Sequence, residues 1–361
     1  MQATCVSDSK SPCTLQIVKQ KGPQGPFSFA FTFKQCKYSV TLINSKKGDA
    51  KKLVAPTTSN QTTDSRGRFP TAFDIVSQVD FTSLQTRGYV VIPNFLSKET
   101  VDRLLADYYD DLVTGPLEVY QQWGVVTGTN SHGLDDIISH LMTQIQKATN
   151  IKVDFCYPWI TYFNNNDIIY QWHQDPDQYL LWQNSYDSLN IWIPLIKPEG
   201  DKDSLGVIPA DRVSKYWHIL QGRGVRVFTD HNNGSTLMVD ECTGQEHILN
   251  LSVNALEEIP ILYPGDALVM RSDTIHRTQI QTHMRIAASI QCTNTQGWID
   301  RSTVDGWTDT KWTLPIKNAM NRSSNNEIDD STPHAIFYRR LAQEFATKDR
   351  VKIQDIVLTK K

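Results

Sequence analysis

Hydrophobic residues alternate with polar or small ones in two short segments near the N-terminus. Phenylalanine occupies every second position from Phe27 to Phe33, and a similar alternation runs from Tyr38 to Leu42. Because side chains two apart lie on one face of a strand, this period predicts a β-hairpin over 27–42. An isolated hairpin is only marginally stable, so we expect it to dock on the main domain. The rest of 1–70 is rich in Ser, Thr, Lys and Gln and is interpreted as an N-terminal extension.

Beyond residue 80 the pattern changes to a strand followed by amphipathic helices. The apolar run 88–96 is interrupted at Pro93, and Ser97 is a typical helix N-cap. Apolar residues then recur at helical spacing at Val101, Leu104, Leu105, Tyr108 and Leu112. The same spacing predicts a second helix over 130–150 and a last helix over 331–346, with Pro333 in its first turn.

Short β-like segments separated by turn-forming residues fill the region 151–292. They are 190–196, 204–208, 255–262, 267–270 and 285–290. This arrangement predicts an antiparallel sandwich or barrel, hence a mainly β fold with flanking helices. We expect the N-terminal extension over 1–70, the main domain over 71–300 and a C-terminal helical extension over 301–361.

Charge and cysteine content exclude several classes of function. The 36 Lys and Arg against 39 Asp and Glu leave a net charge of -3, so nucleic-acid binding is not expected. No apolar run of about 18 residues is present and the N-terminus has no secretory pattern, so we expect no membrane span and a cytoplasmic location. The 6 cysteines form no CxxC pair and are interpreted as free thiols.

One candidate for metal binding is the segment Trp172-His173-Gln174-Asp175. Residues at i and i+2 of an extended segment point to the same side, so His173 and Asp175 could bind one cation. An exposed polar pair in a loop is the alternative. Asp177 is a second candidate for the carboxylate, although Pro176 bends the path to it.

A second segment, 263–276, supplies another histidine. A tight turn at Pro264-Gly265 starts an apolar strand that leads to His276. Two histidines and one carboxylate form the facial triad of non-haem Fe(II) oxygenases. Zinc usually takes a fourth protein ligand or a catalytic water, so the triad alone leaves the metal open.

Arg285 follows His276 by nine residues. If the chain reverses near 280–281, positions 276 and 285 are cross-strand partners and their side chains share a face. The guanidinium could then bind the far carboxylate of a 2-oxo diacid whose other end chelates iron. A surface salt bridge is the alternative, but the apolar neighbours Met284 and Ile286 favour a buried position.

Taken together, the motifs of 81–295 resemble the phytanoyl-CoA dioxygenase family of Fe(II)- and 2-oxoglutarate-dependent oxygenases. The resemblance rests on the order and spacing of Arg87–Ser97, Trp172–Asp175, Asn190–Leu195, Ser204–Pro209, Pro264–Leu268, His276 and Arg285. It implies a double-stranded β-helix of the jelly-roll, cupin-like type. It also implies that His173, Asp175 and His276 bind Fe(II), that Arg285 binds 2-oxoglutarate, and that Trp192 forms a wall of the cosubstrate pocket. Trp192 could equally be an ordinary core residue.

The activity that this resemblance implies is hydroxylation of an unactivated C–H bond by O₂, with release of succinate and CO₂. Asp175 occupies the position at which related halogenases carry a small residue, so hydroxylation, or less often desaturation, is expected over halogenation. The substrate is expected to be a small molecule or an acyl compound. The family often has Pro-Gly-Ser-His where this chain has Pro209-Ala210-Asp211-Arg212, and a long loop follows over 211–254.

Two other functions are compatible with these residues. A cupin-type barrel could use a divalent metal without redox chemistry, as an isomerase or hydrolase does. A catalytically silent barrel could serve as a binding module, with 1–70 as its attachment. The presence of all four expected site residues favours an enzyme.

Overall fold

The computed structural model describes most of the chain beyond residue 70. The described ranges are 71–114, 125–128, 134–157, 160–164, 171–175, 187–216, 225–229, 236–240, 244–279, 283–306, 317–318, 320–321 and 333–357, with five short strands before residue 43. The chain divides into two units, Met1–Thr62 and Thr63–Lys361.

The N-terminal unit contains short antiparallel strands. They are β1 (Ala3–Cys5), β2 (Cys13–Thr14), β3 (Ile17–Gln20), β4 (Ser28–Phe31) and β5 (Val40–Leu42). Strands β4 and β5 lie within the two alternating segments, but their predicted pairing with each other is wrong. Strand β4 pairs with β3, and β5 pairs with β1 in the sheet β2-β1-β5. The period of two specifies strands and leaves their partners open.

The larger unit combines a strand-rich centre with helices. Its helices are α1 (Ala72–Ser77), α2 (Thr82–Thr86), α3 (Lys98–Thr114), α4 (Asp135–Ala148), α5 (Arg301–Asp305), α6 (Pro333–Phe345) and α7 (Ile353–Val357). Its strands are β6 (Tyr89–Ile92), β7 (Val125–Gly128), β8 (Phe155–Cys156), β9 (Ile160–Phe163), β10 (Leu189–Ile196), β11 (Leu205–Ile208), β12 (Val225–Thr229), β13 (Thr236–Asp240), β14 (Glu246–Leu249), β15 (Ala267–Arg271), β16 (Ile275–Thr278), β17 (Ile286–Thr293), β18 (Trp298–Asp300) and β19 (Arg350–Lys352).

The three predicted helices are confirmed. Helix α3 starts directly after Ser97, whose Oγ accepts a hydrogen bond from the backbone N–H of Thr100 at 3.3 Å. Helix α4 buries the expected apolar residues along one face, and α6 begins at Pro333, where the missing N–H costs no helical hydrogen bond.

The main sheet is antiparallel, with strand order β6-β15-β10-β17-β9-β7 and β8 added beside β17. One face, the helix side, packs on the helices: Ile191 and Val269 of the sheet share a core cluster with Leu104 of α3 and Leu141 of α4. The alternation of side chains turns the neighbouring residues to the opposite face.

That opposite face, called the inner face below, is covered by a second sheet. Trp192, Leu268 and Ala287 of the main sheet pack against Leu205 and Val207 of β11. Strand β11 pairs with β16 in an antiparallel register. The larger unit is therefore mainly β, with two layers of antiparallel strands and helices on the outside.

The predicted strand over 255–262 is wrong. The chain forms a 3₁₀ turn at Val253–Leu256, and the segment then meets β11 only through a bridge between Glu258 and Val207. Pro260 lacks the N–H that a continuing ladder requires. Leu262 at the end of the segment is buried in a cluster with Val207, whereas Ile259 and Ile261 are exposed.

The predicted long loop over 211–254 contains a three-stranded sheet, β12-β13-β14. Met238 of β13 and Leu249 of β14 pack against Trp172, Ile208 and Ile275. Ile208 and Ile275 alternate with the inner-facing residues of β11 and β16, so this small sheet covers the side of the second layer that faces away from the main sheet.

The C-terminal segment packs on the same unit. Strand β19 pairs with β18, and Phe337 and Leu341 of α6 share a core cluster with Tyr157, which precedes β9. The boundary expected at residue 300 thus falls at the end of a strand whose partner lies fifty residues later.

Two further properties concern the membrane span and the cysteines discussed from the sequence. Among the described residues, no helix combines the length and the apolar character that crossing a bilayer requires. Cys156 and Cys292 are free thiols, although they are register partners of β8 and β17.

Candidate metal centre

Backbone pairing between two distant segments brings the candidate ligands together. His173 and His276 form an antiparallel bridge, with N–H to carbonyl distances of 2.9 Å in both directions. His276 is also the register partner of Val207, which belongs to the inner-face cluster, so the His276 side chain points to the inner face. Asp175 lies two residues beyond His173, so its side chain points to the same side of the chain as that of His173.

The three side chains converge on one point. Oδ1 of Asp175 lies 3.3 Å from Nε2 of His276 and 3.6 Å from Nε2 of His173. Each residue offers one ligand atom, and these atoms all lie within 4.8 Å of one another, so the three could hold a metal ion. The imidazole centroids are 4.4 Å apart. All three side chains are largely buried, with Asp175 the most exposed at 19%.

Backbone carbonyl groups fix the orientation of both imidazoles. Nδ1 of His173 lies 2.6 Å from the carbonyl oxygen of Gln171, and Nδ1 of His276 lies 3.0 Å from that of Thr274. A carbonyl only accepts, so each Nδ1 carries the proton that it donates. The lone pair of a neutral imidazole is therefore on Nε2, the atom that faces Asp175, as metal coordination requires.

The pKa values of the three side chains are shifted by burial and by their charges on one another. Burial alone raises the pKa of Asp175, but the charge of His276 and the hydrogen bonds with both imidazoles lower it below its usual value. Burial lowers the pKa of His276, yet the Asp175 carboxylate outweighs that effect and raises it. Burial and the charge of His276 lower the pKa of His173. The Asp175 carboxylate thus favours a proton on His276, and a metal ion, which binds the neutral imidazole, competes with that proton.

Asn190 supports the carboxylate from the main sheet. Its Nδ2 donates to Oδ2 of Asp175 at 2.7 Å, and its Oδ1 accepts from Oγ of Ser289 at 2.6 Å. Oδ2 is therefore occupied by the amide, which directs Oδ1 toward the two imidazoles. This hydrogen bond also connects the candidate ligands to β10 of the main sheet. His276, by contrast, lies on β16 of the second layer, which pairs with β11.

We expect Asn190→Ala to weaken metal binding by about 10- to 100-fold, as is typical when a partner of a metal ligand is removed. The substitution leaves Oδ2 of Asp175 without its donor, so the carboxylate can rotate away from the imidazoles. Competition with a chelator measures the dissociation constant. Ser289→Ala is the matched control, because it removes the bond to Asn190 but leaves Asp175 untouched. Equal affinities in Asn190→Ala and the unaltered protein would contradict this role.

Arg285 is a buried cation with an incomplete set of partners. It is 2% exposed, and its Nη1 donates to the carbonyl oxygens of Asp203 at 3.1 Å and Ser204 at 3.3 Å. Among the described residues, no group accepts a hydrogen bond from its Nε. Burial lowers the pKa of Arg285 to about 10, and the charge of Asp203 opposes that shift. The guanidinium therefore remains charged near neutral pH, and its Nε is a donor without an acceptor among the described residues.

Trp192 and Ser204 flank this guanidinium. Cζ of Arg285 lies 5.9 Å from the ring centroid of Trp192, which is 4% exposed. Oγ of Ser204 is buried and has no hydrogen-bond partner in the described part of the chain. Trp192 lies two residues beyond Asn190 on β10, so the two share the inner face. The structure thus brings Arg285 and Trp192 together, on the same face as the residue that binds Asp175.

The route by which Arg285 reaches this face differs from the prediction. His276 and Arg285 are not cross-strand partners: β16 pairs with β11, whereas β17, which follows Arg285, pairs with β10, β9 and β8. At His276 one edge of the backbone is occupied by Val207 and the other by His173, which leaves no edge for β17. The alternative ligand Asp177 lies outside the described residues.

Sequence reasoning missed the supporting residues Asn190, Ser204 and Ser289. Asn190 carried a usable signal, because it lies two residues before Trp192 on a strand and must share its face. Ser204 and Ser289 carried none, since small polar residues are common at strand ends and their partners depend on long-range pairing.

Comparisons with known proteins gave structural matches alone. No family model matches the chain, and no curated protein sequence matches it. SnoK, a non-heme alpha ketoglutarate dependent carbocyclase from nogalamycin biosynthesis, is 15% identical with a TM-score of 0.44, over 64% of this chain and 88% of that one. The epimerase SnoN, in complex with Fe3+, alpha ketoglutarate and nogalamycin RO, is 13% identical with a TM-score of 0.42, over 61% and 84%. EctD from S. alaskensis, with 2-oxoglutarate and 5-hydroxyectoine, is 11% identical with a TM-score of 0.41, over 61% and 77%.

Proposed function

We propose that this protein is an Fe(II)- and 2-oxoglutarate-dependent dioxygenase that hydroxylates an unactivated C–H bond of a small-molecule or acyl substrate. The products besides the alcohol are succinate and CO₂. The observation that carries the proposal is the convergence of His173, Asp175 and His276 on one point, with ligand atoms within 4.8 Å of one another.

The donor set suits a ferrous ion. Two neutral imidazole nitrogens and one carboxylate oxygen leave further coordination positions for a cosubstrate and O₂, as in the facial triad of non-haem iron enzymes. A structural zinc site would close its tetrahedron with a fourth protein ligand. Among the described residues, the cluster contains these three ligating side chains and no fourth.

The surroundings of Arg285 suit the far carboxylate of 2-oxoglutarate. A carboxylate there would accept from Nε of Arg285 and from Oγ of Ser204, two buried atoms that have no hydrogen-bond partner among the described residues. Burial strengthens such a charge-assisted bond and also excludes water from it. The ring of Trp192, whose centroid lies 5.9 Å from Cζ of Arg285, would form one wall beside such a carboxylate.

The positions of these residues suggest a separate role for each of them in the proposed reaction. Bound iron supplies the oxidative decarboxylation of the 2-oxo acid by O₂ and the oxidation of the substrate C–H bond. His173, Asp175 and His276 hold the metal, Asn190 orients the carboxylate, and Arg285 fixes the cosubstrate against it. The apolar residues of the inner face, such as Leu268 and Ala287, keep bulk water away from the site.

We further propose that the two layers form a double-stranded β-helix and that the chain is a member of the phytanoyl-CoA dioxygenase family. Supporting this, the cluster of Trp192, Leu205, Val207 and Leu268 joins both layers around the inner face. The histidine bridge between 173 and 276 extends the second layer by one more segment.

The test is 2-oxoglutarate turnover by the full chain loaded with Fe(II) and supplied with O₂ and a panel of small acids, acyl thioesters and natural products. We expect release of labelled CO₂ from C1 of 2-oxoglutarate, with an equal amount of succinate, that depends on iron. The protein loaded with Zn(II) is the control. Tight retention of zinc or manganese, no 2-oxoglutarate binding and isomerase or hydrolase activity would contradict the proposal and favour a non-redox cupin.

A further inference from the structure

A second pair of side chains lies behind the bridge between His173 and His276. The two histidines exchange backbone hydrogen bonds in an antiparallel arrangement, which places Trp172 opposite Arg277. Because side chains alternate along an extended segment, these two point away from the candidate metal ligands. Cζ of Arg277 lies 5.0 Å from the ring centroid of Trp172, which is 3% exposed. The two segments that carry the histidines are therefore also joined by a cation–π contact.

One turn supplies a hydrogen-bond partner for each of these side chains. Asn254 lies in the 3₁₀ turn Val253–Leu256, and its Oδ1 accepts from Nε1 of Trp172 at 2.9 Å. Glu257 follows the turn and accepts two hydrogen bonds from Arg277, at 2.8 Å from Nε and 2.7 Å from Nη2. A bidentate pair fixes the plane of a guanidinium as well as its position. We call these four residues, Trp172, Asn254, Glu257 and Arg277, the outer cluster.

Gly206 provides the space that the outer cluster needs. It is the register partner of Arg277 on β11. A Cβ atom at this position would lie 1.9 Å from Oε1 of Glu257, so a larger residue would displace the carboxylate. The side chains of Glu257 and Arg277 are 13% and 26% exposed. Partial burial strengthens the ion pair between them, which keeps the guanidinium in place over the Trp172 ring.

The segment that carries His173 and Asp175 depends on such side-chain contacts. Within the described residues 171–175, its backbone forms one bridge to the second layer. His276, in contrast, lies on β16, which pairs with β11 over four residues. The Trp172–Arg277 contact is adjacent to both histidines in sequence, so it determines the orientation of one segment relative to the other.

We propose that Trp172 and Arg277 are positioning residues, which hold the two histidine-bearing segments at the separation that one metal ion requires. This inference rests on the proposed function, because it assumes that the histidines bind a metal. A metal site needs its ligand atoms held within about 0.5 Å of the productive geometry, and residues behind the ligands provide that precision. The segment 253–257 thus supports the metal centre without contacting it.

The experiment measures the affinity of the full chain for Mn(II) by competition with a chelator, at a temperature well below unfolding. Arg277→Met removes the charge and both hydrogen bonds to Glu257 but keeps an unbranched side chain. We expect its dissociation constant for Mn(II) to rise about tenfold, the lower end of the range for loss of a residue that supports a metal ligand. Arg277→Lys keeps the charge near the Trp172 ring but loses the donor fork, so it should restore part of the affinity.

Arg350→Met is the matched control. Arg350 also lies over a tryptophan, with its Cζ 4.8 Å from the ring centroid of Trp298, and it pairs with Asp300 at 3.0 Å. This pair belongs to β18 and β19, outside the two layers that carry the candidate ligands. The variant loses the same kind of contact, and its Mn(II) affinity should stay within about twofold of that of the unaltered protein. Thermal unfolding of both metal-free variants records their loss of stability separately from their metal affinity.

A double variant tests whether the two residues act through one contact. Trp172→Phe removes the hydrogen bond to Asn254 and weakens the contact with Arg277. If the contact between the two residues positions the histidines, Trp172→Phe should weaken Mn(II) binding less in the Arg277→Met background than in the unaltered protein. Equal losses in both backgrounds would show that the residues act independently and would overturn the proposal.

The outcomes separate this inference from the function on which it rests. Unchanged Mn(II) affinity in Arg277→Met, or an equal loss in Arg350→Met, overturns the positioning role and leaves the proposed function standing. If Arg277→Met does not fold, Glu257→Gln replaces it, and unchanged Mn(II) affinity in that variant overturns the role. No Mn(II) binding by the unaltered protein overturns both proposals. A loss of affinity confined to the outer cluster, without 2-oxoglutarate turnover by the iron-loaded unaltered protein, supports the positioning role and contradicts the proposed function.

Discussion

Asp175→Ala is expected to weaken metal binding by more than about 100-fold, beyond the loss typical for a residue that only supports a ligand, and to abolish 2-oxoglutarate turnover. Asp175 is the carboxylate that faces both imidazoles, at 3.3 Å and 3.6 Å. Without it two neutral nitrogens remain, and no protein charge offsets the cation. Competition with a chelator gives the metal affinity, and succinate release gives the turnover.

Asp187→Asn is the matched control for this experiment. Asp187 accepts hydrogen bonds from the backbone of Lys152 and from Asn294, and it takes no part in the cluster. We expect its metal affinity to match that of the unaltered protein. Unchanged metal affinity in Asp175→Ala, with circular dichroism that shows an intact fold, would show that another carboxylate is the ligand.

Arg285→Met is expected to reduce 2-oxoglutarate affinity by at least about 100-fold, because loss of one partner of a buried ion pair costs about 3–5 kcal/mol. Methionine fills most of the vacated volume with an unbranched apolar chain, so the packing on Trp192 is largely kept. The pocket then has no cation for the far carboxylate. Calorimetry on the Mn(II)-loaded variant measures the loss.

Metal binding is the internal control for Arg285→Met and should change by less than about threefold, as expected for a residue outside the ligand set. Arg285→Lys keeps the charge but loses the planar donor fork. Its affinity for 2-oxoglutarate should therefore lie between that of the unaltered protein and that of Arg285→Met. Equal 2-oxoglutarate affinity in Arg285→Met would mean that another residue anchors the cosubstrate.

The cluster of candidate metal ligands could be predicted in part from the sequence, because a local rule relates two of its three residues. His173 and Asp175 must share a side of an extended segment. His276 was found through the turn at Pro264-Gly265 and the strand β15, although it lies on the following strand, β16. The helices could also be predicted from the sequence, since Ser97 and Pro333 mark the starts of α3 and α6 and the apolar spacing indicates their buried faces.

The pairing partners of the strands could not be predicted from the sequence in the same way. The pairing of His276 with both Val207 and His173, and the crossing of the chain from the second layer to the main sheet before Arg285, depend on contacts between distant segments. The spacing of nine residues suggested a simple reversal and placed Arg285 on the correct side for an incorrect reason. Likewise, the alternation near the N-terminus predicted β4 and β5 but not their partners.

Local composition was also misleading where packing overrides it. The segment 255–262 has the apolar content of a strand, yet Pro260 and the 3₁₀ turn at Val253–Leu256 limit it to one bridge. The opposite holds for 211–254, where polar residues suggested a loop and the chain forms β12, β13 and β14. Met238 and Leu249 explain the difference, since they bury the back of the second layer.

A crystal structure of the protein with Mn(II) and 2-oxoglutarate, with the metal located by anomalous scattering, would show directly whether His173, Asp175 and His276 form one metal site. We expect one metal bound by Nε2 of His173, Oδ1 of Asp175 and Nε2 of His276, and chelated by the 2-oxo acid end of a ligand whose far carboxylate contacts Arg285. A metal bound without His276, or a cosubstrate whose far carboxylate lies away from Arg285, would contradict it.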